Sequence, residues 1–291
     1  MMKFWNKKKH EIKKIQTQLN DQEQASQKVA DKYNQRPKKW MYNGGIALLV
    51  VAAVVYAFIS SEISIRDVDF ATQFYYLWRG FTHPNTDFLF DMSKGGVPYL
   101  TLETIAIAFS GTFLAAILAI PFGFLTAKNV VGKHWSKLGE VLLIIIRTFP
   151  EIVLALVLIR VIGMGATTGA LTIGIHSIGM LAKLYAEAIE NMDQGPIEAL
   201  DAVGANVWQK IRYGILPQVI PDFLSVALYR FDINVRSATI LGMVSAGGLG
   251  APLIFASQAW NWSQMSSVLI AIVIMVITVD FISSKLRQKL V

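Results

Sequence analysis

The chain has 291 residues, of which 54% are hydrophobic and only 16% charged, with a mean hydropathy of +0.46; soluble domains carry roughly 25% charged residues, so most of this chain is built for lipid. Its 27 basic residues against 20 acidic ones give a net charge of +7, which admits nucleic acid, anionic lipid or membrane orientation as its cause. There is no cysteine for a disulfide or thiolate site, and the four histidines (His10, His83, His134, His176) form no pair at metal-ligand spacing.

Residues 1–40 mix lysines with Gln, Asn, Asp and Glu and few apolar positions, which predicts a solvated helix or a disordered extension. This basic segment serves either as an electrostatic anchor on anionic lipid or as a contact for a partner. A polar lead of this length is too long for a secretory signal peptide. A first membrane span follows at residues 43–61, then an external segment at 62–98 whose Phe70, Phe74, Tyr75, Tyr76 and Trp78 suit the headgroup layer. A spanning helix needs about 20 mostly apolar residues. Five more stretches meet that condition, at 99–127, 138–163, 165–187, 218–245 and 263–283.

The expected fold is therefore all-α, with six transmembrane helices. Its organisation is a cytoplasmic extension (1–40), the first span with its external segment (41–98), a core of five spans (99–283) and a short tail (284–291). Basic loops are retained in the cytoplasm. With the N-terminus inside, the inside segments hold 20 Lys and Arg and the outside segments 4, the other 3 lying within spans. Both termini are thus expected in the cytoplasm. The same distribution accounts for most of the positive charge and argues against nucleic acid as a partner, because the N-terminal run has few aromatics to stack on bases.

The longest inside loop, residues 193–217, carries the strongest local signals. Pro196 suits the first turn of a helix, and Glu198 and Asp201 favour its positive end. Gly204 permits a turn. Asn206 and Gln209 have the spacing of a capping box, opening a second short helix on which Trp208, Ile211 and Ile215 approximate one apolar face, with Pro217 ending it. The result is a compact elbow between two spans, with an apolar surface toward the cytoplasm.

Within that elbow, Glu198-Ala199-Leu200, then Gly204, then Ile215-Leu216-Pro217 resembles the EAA loop of binding-protein-dependent ABC importer permeases. That pattern reads E-A-A, three residues, G, nine or ten residues, x-L-P; this chain departs from it at Leu200, where alanine is preferred. Residues 112–129, Arg147-Thr148-Phe149-Pro150-Glu151, and the run from Arg230 to Gly242 followed by Gly247-Gly248-Leu249-Gly250 resemble the phosphonate-type permeases. The similarity extends over roughly residues 96–287. It implies a type I importer permease in a bacterial cytoplasmic membrane, working as a homodimer or a pair of similar chains. An extracytoplasmic binding protein and a separate ATPase subunit complete the assembly. The resemblance further implies that Glu198, Ala199, Leu200, Gly204, Trp208, Leu216 and Pro217 couple the ATPase to the membrane helices. ATP and Mg belong to the ATPase, and no cofactor is expected on this chain, which has no Gly-x-x-x-x-Gly-Lys-Ser/Thr phosphate loop.

A charge at mid-membrane costs about 2.5 to 3.5 kcal/mol on insertion scales, so such residues face protein or water. Arg147 with Glu151, and Asp232 with Arg236, have the four-residue spacing that lets each pair meet on one helical face. Arg230 has no acidic residue three or four positions away; it either finds a partner on another helix or lines the path of a passing oxyanion, with Arg147 and Arg236 behind it. Gly247, Gly248 and Gly250 suit either a tight external turn or a moving gate. His176 reads as a core histidine rather than a proton relay. An ion-driven secondary transporter would call for inverted repeats and intramembrane carboxylates and would leave the elbow unexplained. A membrane enzyme would need a clustered metal or nucleophile constellation, and none is visible in the sequence.

Overall fold

The computed structural model describes residues 27–28, 40–60 and 69–290, and among them every regular element is a helix. Nearly all of the basic extension, and residues 61–68, lie outside the described residues. The described residues fall into two units, one before and one from Asp69 onward. In the first, α1 (Trp40–Ser60) is a 21-residue helix over the first expected span.

The second unit opens with two short helices, α2 (Phe70–Thr82) and α3 (Thr86–Phe90). Asp69 caps α2: its carboxylate accepts the N–H of Ala71 at 3.2 Å and of Thr72 at 3.3 Å, as well as the Thr72 hydroxyl. These bonds, led by the Thr72 hydroxyl, hold the carboxyl below the usual carboxylate range. The cap is therefore complete above that range and is lost as pH falls through the lowered value. Phe70, Phe74, Tyr75, Tyr76 and Trp78 are all exposed on α2.

Five longer helices and their connections follow: α4 (Val97–Thr126), α5 (Lys128–Thr148), α6 (Glu151–Ile162), α7 (Ala166–Asn191), α8 (Gly195–Ala202), α9 (Val207–Gln209), a π-helical turn (Lys210–Ile215), α10 (Leu216–Gly242), α11 (Gly250–Gln258) and α12 (Trp262–Arg287). The most extensive packing is between α4 and α7. It is close because the buried side of α4 presents Ala108, Gly111, Ala115 and Ala119, small residues at spacings of three and four that let two backbones approach. A Cβ at Gly111 would come within 2.7 Å of the Ala170 carbonyl oxygen.

Among the described residues, three helices (α1, α4, α12) are long and apolar enough to cross a membrane, or four if α5 and α6 count as one broken span. The stretch 138–163, expected as one span, is bent by 77° between α5 and α6. Pro150 is the physical reason, since it lacks an N–H and forces the residue before it out of the helical region; Phe149 sits at φ −76°, ψ 121°. Helices α7 and α10 have 26 and 27 residues, enough to reach about 39–40 Å. They are more polar, and their polar positions are covered by neighbouring helices: Thr172, Ser177, Arg230, Asp232 and Asn234 are all buried.

Candidate functional site

The elbow between α7 and α10 is built from local signals. Pro196 lies in the first turn of α8 with Glu198 beside it. The helix closes in a Schellman motif: the Gly204 N–H donates to the Asp201 carbonyl at 3.0 Å and the Ala205 N–H to the Leu200 carbonyl at 2.9 Å, with Gly204 at φ +75°. The capping box then opens α9, with Gln209 N–H to Asn206 Oδ1 at 2.9 Å and Asn206 N–H to Gln209 Oε1 at 2.8 Å. An ion pair between Lys210 and Asp201 braces the two arms across the turn.

Two details differ from the expectation. Trp208 is 79% exposed whereas Ile215 is buried and Ile211 packs on the core, so the three do not share a face. The cause is the π-helical turn, whose i→i+5 bonding advances each residue through a smaller angle than an α-helix and so rotates Ile215 inward. Nor does Pro217 end the second helix. Residues 207–242 are helical throughout, and Pro217 lies in the first turn of α10 with Leu216 half-buried before it. Its missing N–H and its ring are what loosen the preceding turn.

The elbow is pinned by one side only. Ile197 and Leu200 sit over Gly214, where an added Cβ would lie 3.3 Å and 3.1 Å from their side chains; the bare glycine accommodates the larger residue at 200. On the other side Glu198, Ala199, Val203, Val207 and Trp208 are exposed.

A second constellation lies in the middle of the bundle. Arg230, 7% exposed, donates from Nε to Ser177 Oγ at 3.1 Å and from a terminal nitrogen to Met180 Sδ at 3.1 Å, both on α7. The partner on another helix is therefore a hydroxyl and a thioether, and among the described residues no carboxylate comes within 4.0 Å of the guanidinium. Asn234, fully buried one turn further on, donates to Ser177 Oγ at 3.0 Å and to Thr112 Oγ at 2.8 Å, linking α4, α7 and α10. Arg236 and Asp232 meet at 2.8 Å as their spacing predicts, with Arg236 on the exposed side. Arg147 and Glu151 do not pair: the bend at Pro150 separates them, and Glu151 instead accepts the Ser237 hydroxyl at 3.0 Å. The Arg147 side chain runs across Gly179 of α7, where a Cβ would meet its Cγ at 2.5 Å. Arg147 also borders a cavity of about 430 Å³ that opens toward Lys128 and Lys183 beside Glu140, Glu187 and Glu190.

Gly247, Gly248 and Gly250 belong to a packed turn between α10 and α11. Gly247 and Gly248 have φ +89° and +79°, and the Leu249 N–H donates to Thr104 Oγ at 2.9 Å. Ala246 and Leu249 are fully buried. A Cβ at Gly250 would stand 2.1 Å from the Thr239 carbonyl oxygen and 2.5 Å from the Met243 nitrogen, backbone atoms that cannot step aside. Gly250→Ala should therefore destabilise the folded chain by about 1–3 kcal/mol, seen as a fall of several degrees in Tm in detergent; an unchanged Tm would mean that this turn is looser than described.

Comparison with known proteins adds the family. Residues 119–290 match the family of binding-protein-dependent transport system inner membrane components. The chain is 37% identical to the phosphite transport system permease protein PtxC of Stutzerimonas stutzeri over 189 residues, 64% of this chain and 68% of the relative. It is 37% identical over 192 residues to the phosphate-import permease protein PhnE of Mycolicibacterium smegmatis, covering 65% of this chain and 36% of that one. The putative cryptic phosphonate transport system permease protein PhnE2 of Escherichia coli K12 is 45% identical over 118 residues, 40% of this chain and 97% of the relative. In fold, the chain resembles the inward-facing MetNI methionine ABC transporter with a TM-score of 0.58 at 24% identity, over 67% of this chain and 96% of that one. On the match across most of the helical core and the similarity to PtxC, the chain belongs to the binding-protein-dependent transport system inner membrane components, the permease subunits of ABC importers.

Proposed function

We propose that this chain carries a phosphorus oxyanion, phosphonate, phosphite or a close relative, into a bacterial cell across the cytoplasmic membrane by alternating access driven by a separate ATPase. The relatives named for phosphite, phosphate and phosphonate support the substrate class. The observation that carries the mechanism is the elbow: it is fixed to its own bundle through Ile197, Leu200, Ile211 and Ile215 yet leaves Glu198 and Trp208 outward. An exposed aromatic beside an apolar rim is the kind of surface that anchors a protein partner.

In this reading six spans cross the membrane with both termini in the cytoplasm, and α8, α9 and the turn at Gly204 dock on the ATPase, which holds ATP and Mg. Two permease chains, identical or paralogous, enclose the path, and an external binding protein delivers the substrate. Glu198, Ala199, Leu200, Gly204, Trp208, Leu216 and Pro217 form the coupling element. Arg230 supplies the buried cation of the path, Arg147 leads to the cavity toward Lys128 and Lys183, and Arg236 borders the path from the exposed side of α10. Gly247, Gly248 and Gly250 form a fixed turn rather than a hinge.

The test is ATP-driven uptake in vesicles containing permease, ATPase and binding protein. Gly204→Val places a β-branched side chain at positive φ in open space, so the damage is confined to the Schellman turn. Uptake should fall about tenfold or more with the bundle intact; normal uptake at normal ATP cost would remove the elbow from the coupling path.

A further inference from the structure

Around Arg230 the buried layer contains polar atoms that no described residue satisfies. Glu151 Oε2 accepts the Ser237 hydroxyl at 3.0 Å, but Glu151 Oε1 is buried without a hydrogen-bond partner, and so is His176 Nδ1 on α7. His176 and Arg230 lie within electrostatic reach of each other, and each also reaches Glu151 and Arg147. Glu151 nevertheless stays beyond the 4.0 Å of an ion pair with either arginine. A structural salt bridge would have closed that gap, because buried charges without paired partners are costly. What remains is a cation with only a hydroxyl and a thioether against it, near a carboxylate oxygen that lacks a donor.

The chemistry of that gap is selective. A fully ionised oxyanion offers only acceptors; it would satisfy the guanidinium and repel Glu151. A phosphorus oxyanion that keeps one proton offers both kinds of contact, anionic oxygens for an arginine and a P–OH donor for a carboxylate. Deepening the path reading on which it rests, we propose that Glu151 is a specificity-determining residue of this permease: it accepts the hydroxyl hydrogen of a singly protonated phosphorus oxyanion whose charged oxygens meet Arg230. The membrane subunit thereby discriminates against oxyanions that carry no proton, such as sulfate, after the binding protein has released its cargo. His176 Nδ1, on the helix that holds Arg230, is a second unfilled position in the same layer.

The experiment uses the whole assembly, permease with its ATPase and loaded binding protein in proteoliposomes, with labelled phosphite and methylphosphonate as probes. Glu151→Gln keeps the size of the side chain and an acceptor for Ser237 but removes the negative charge. Uptake should fall on the order of tenfold, the loss of one hydrogen bond to a charged group. ATP hydrolysis stimulated by the loaded binding protein should stay within about twofold of wild type, because coupling at the elbow is untouched. Ser237→Ala, which removes only the bond to Oε2, should leave uptake within about twofold. Normal uptake by Glu151→Gln while Arg230→Met transports nothing would overturn the role of Glu151 and leave the path in place. Normal uptake by Arg230→Met would remove the path itself, and this proposal with it. Equal losses in Glu151→Gln and Ser237→Ala, or loss of stimulated hydrolysis together with uptake, would assign Glu151 a purely structural part and overturn the proposal.

Discussion

Replacing Trp208 by aspartate should abolish ATP-driven uptake while leaving the permease folded. Trp208 is 79% exposed on its own chain, so its loss costs the isolated subunit little. It follows the exposed Val207 within the capping-box turn, on a short helix whose backbone is fixed by Asn206 and Gln209. A large aromatic held rigidly on an apolar rim is the residue type that dominates protein interfaces, where truncation typically costs about 2 kcal/mol or more. A carboxylate at the same place adds the desolvation of a charge against the partner's apolar surface. Affinity for the ATPase subunit should drop about a hundredfold. The measurement is titration of the solubilised permease with the ATPase, with Tm followed in parallel. Unchanged affinity would place the motor's grip elsewhere.

The second large effect separates stability from transport. Arg230→Met should lower oxyanion uptake by about two orders of magnitude and leave Tm equal or higher. The usual penalty for removing one member of a buried ion pair is the charge left behind. Here no carboxylate of the described residues lies within 4.0 Å of the guanidinium, and Ser177 keeps its bonds with Asn234. A methionine of similar reach fills the space beside Met180 without a charge to desolvate. If Arg230 were a structural strut, Tm would fall along with transport; if both stayed at wild-type values, Arg230 would have no part in the path.

How much of this was legible beforehand follows from how far apart the cooperating residues lie in the chain. The elbow was readable because its determinants are local: Pro196, Gly204 and the Asn206–Gln209 box act over three or four residues, and each stands where its pattern put it. The π-helical turn was missed because apolar spacing assumes α winding, although Pro217 was its visible cause. The bend between α5 and α6 was missed for a related reason: an apolar stretch reads the same straight or broken, and Phe149-Pro150 was the available signal. That one bend turned the expected Arg147–Glu151 pair into two separate groups.

The polar layer could not be found by spacing at all. Asn234 meets Ser177 across 57 positions and Thr112 across 122. No local pattern in the chain joins the three. The sequence could only indicate that Arg230 lacked a local partner; that its partner is uncharged is a fact of packing.

Residues 207 to 242 wind without interruption from the elbow to the end of α10. From Leu216 to Arg230 that is a rod of about 21 Å at 1.5 Å per residue. Pro221 removes one backbone donor within that length, but the helix runs on past it to Gly242, so a tilt at one end is carried toward the other. Thermodynamic reciprocity then runs both ways along it: if nucleotide closure weakens the hold on the anion by some factor, an occupied path must weaken nucleotide closure by that same factor. The cargo is thus able to report its own arrival to the engine.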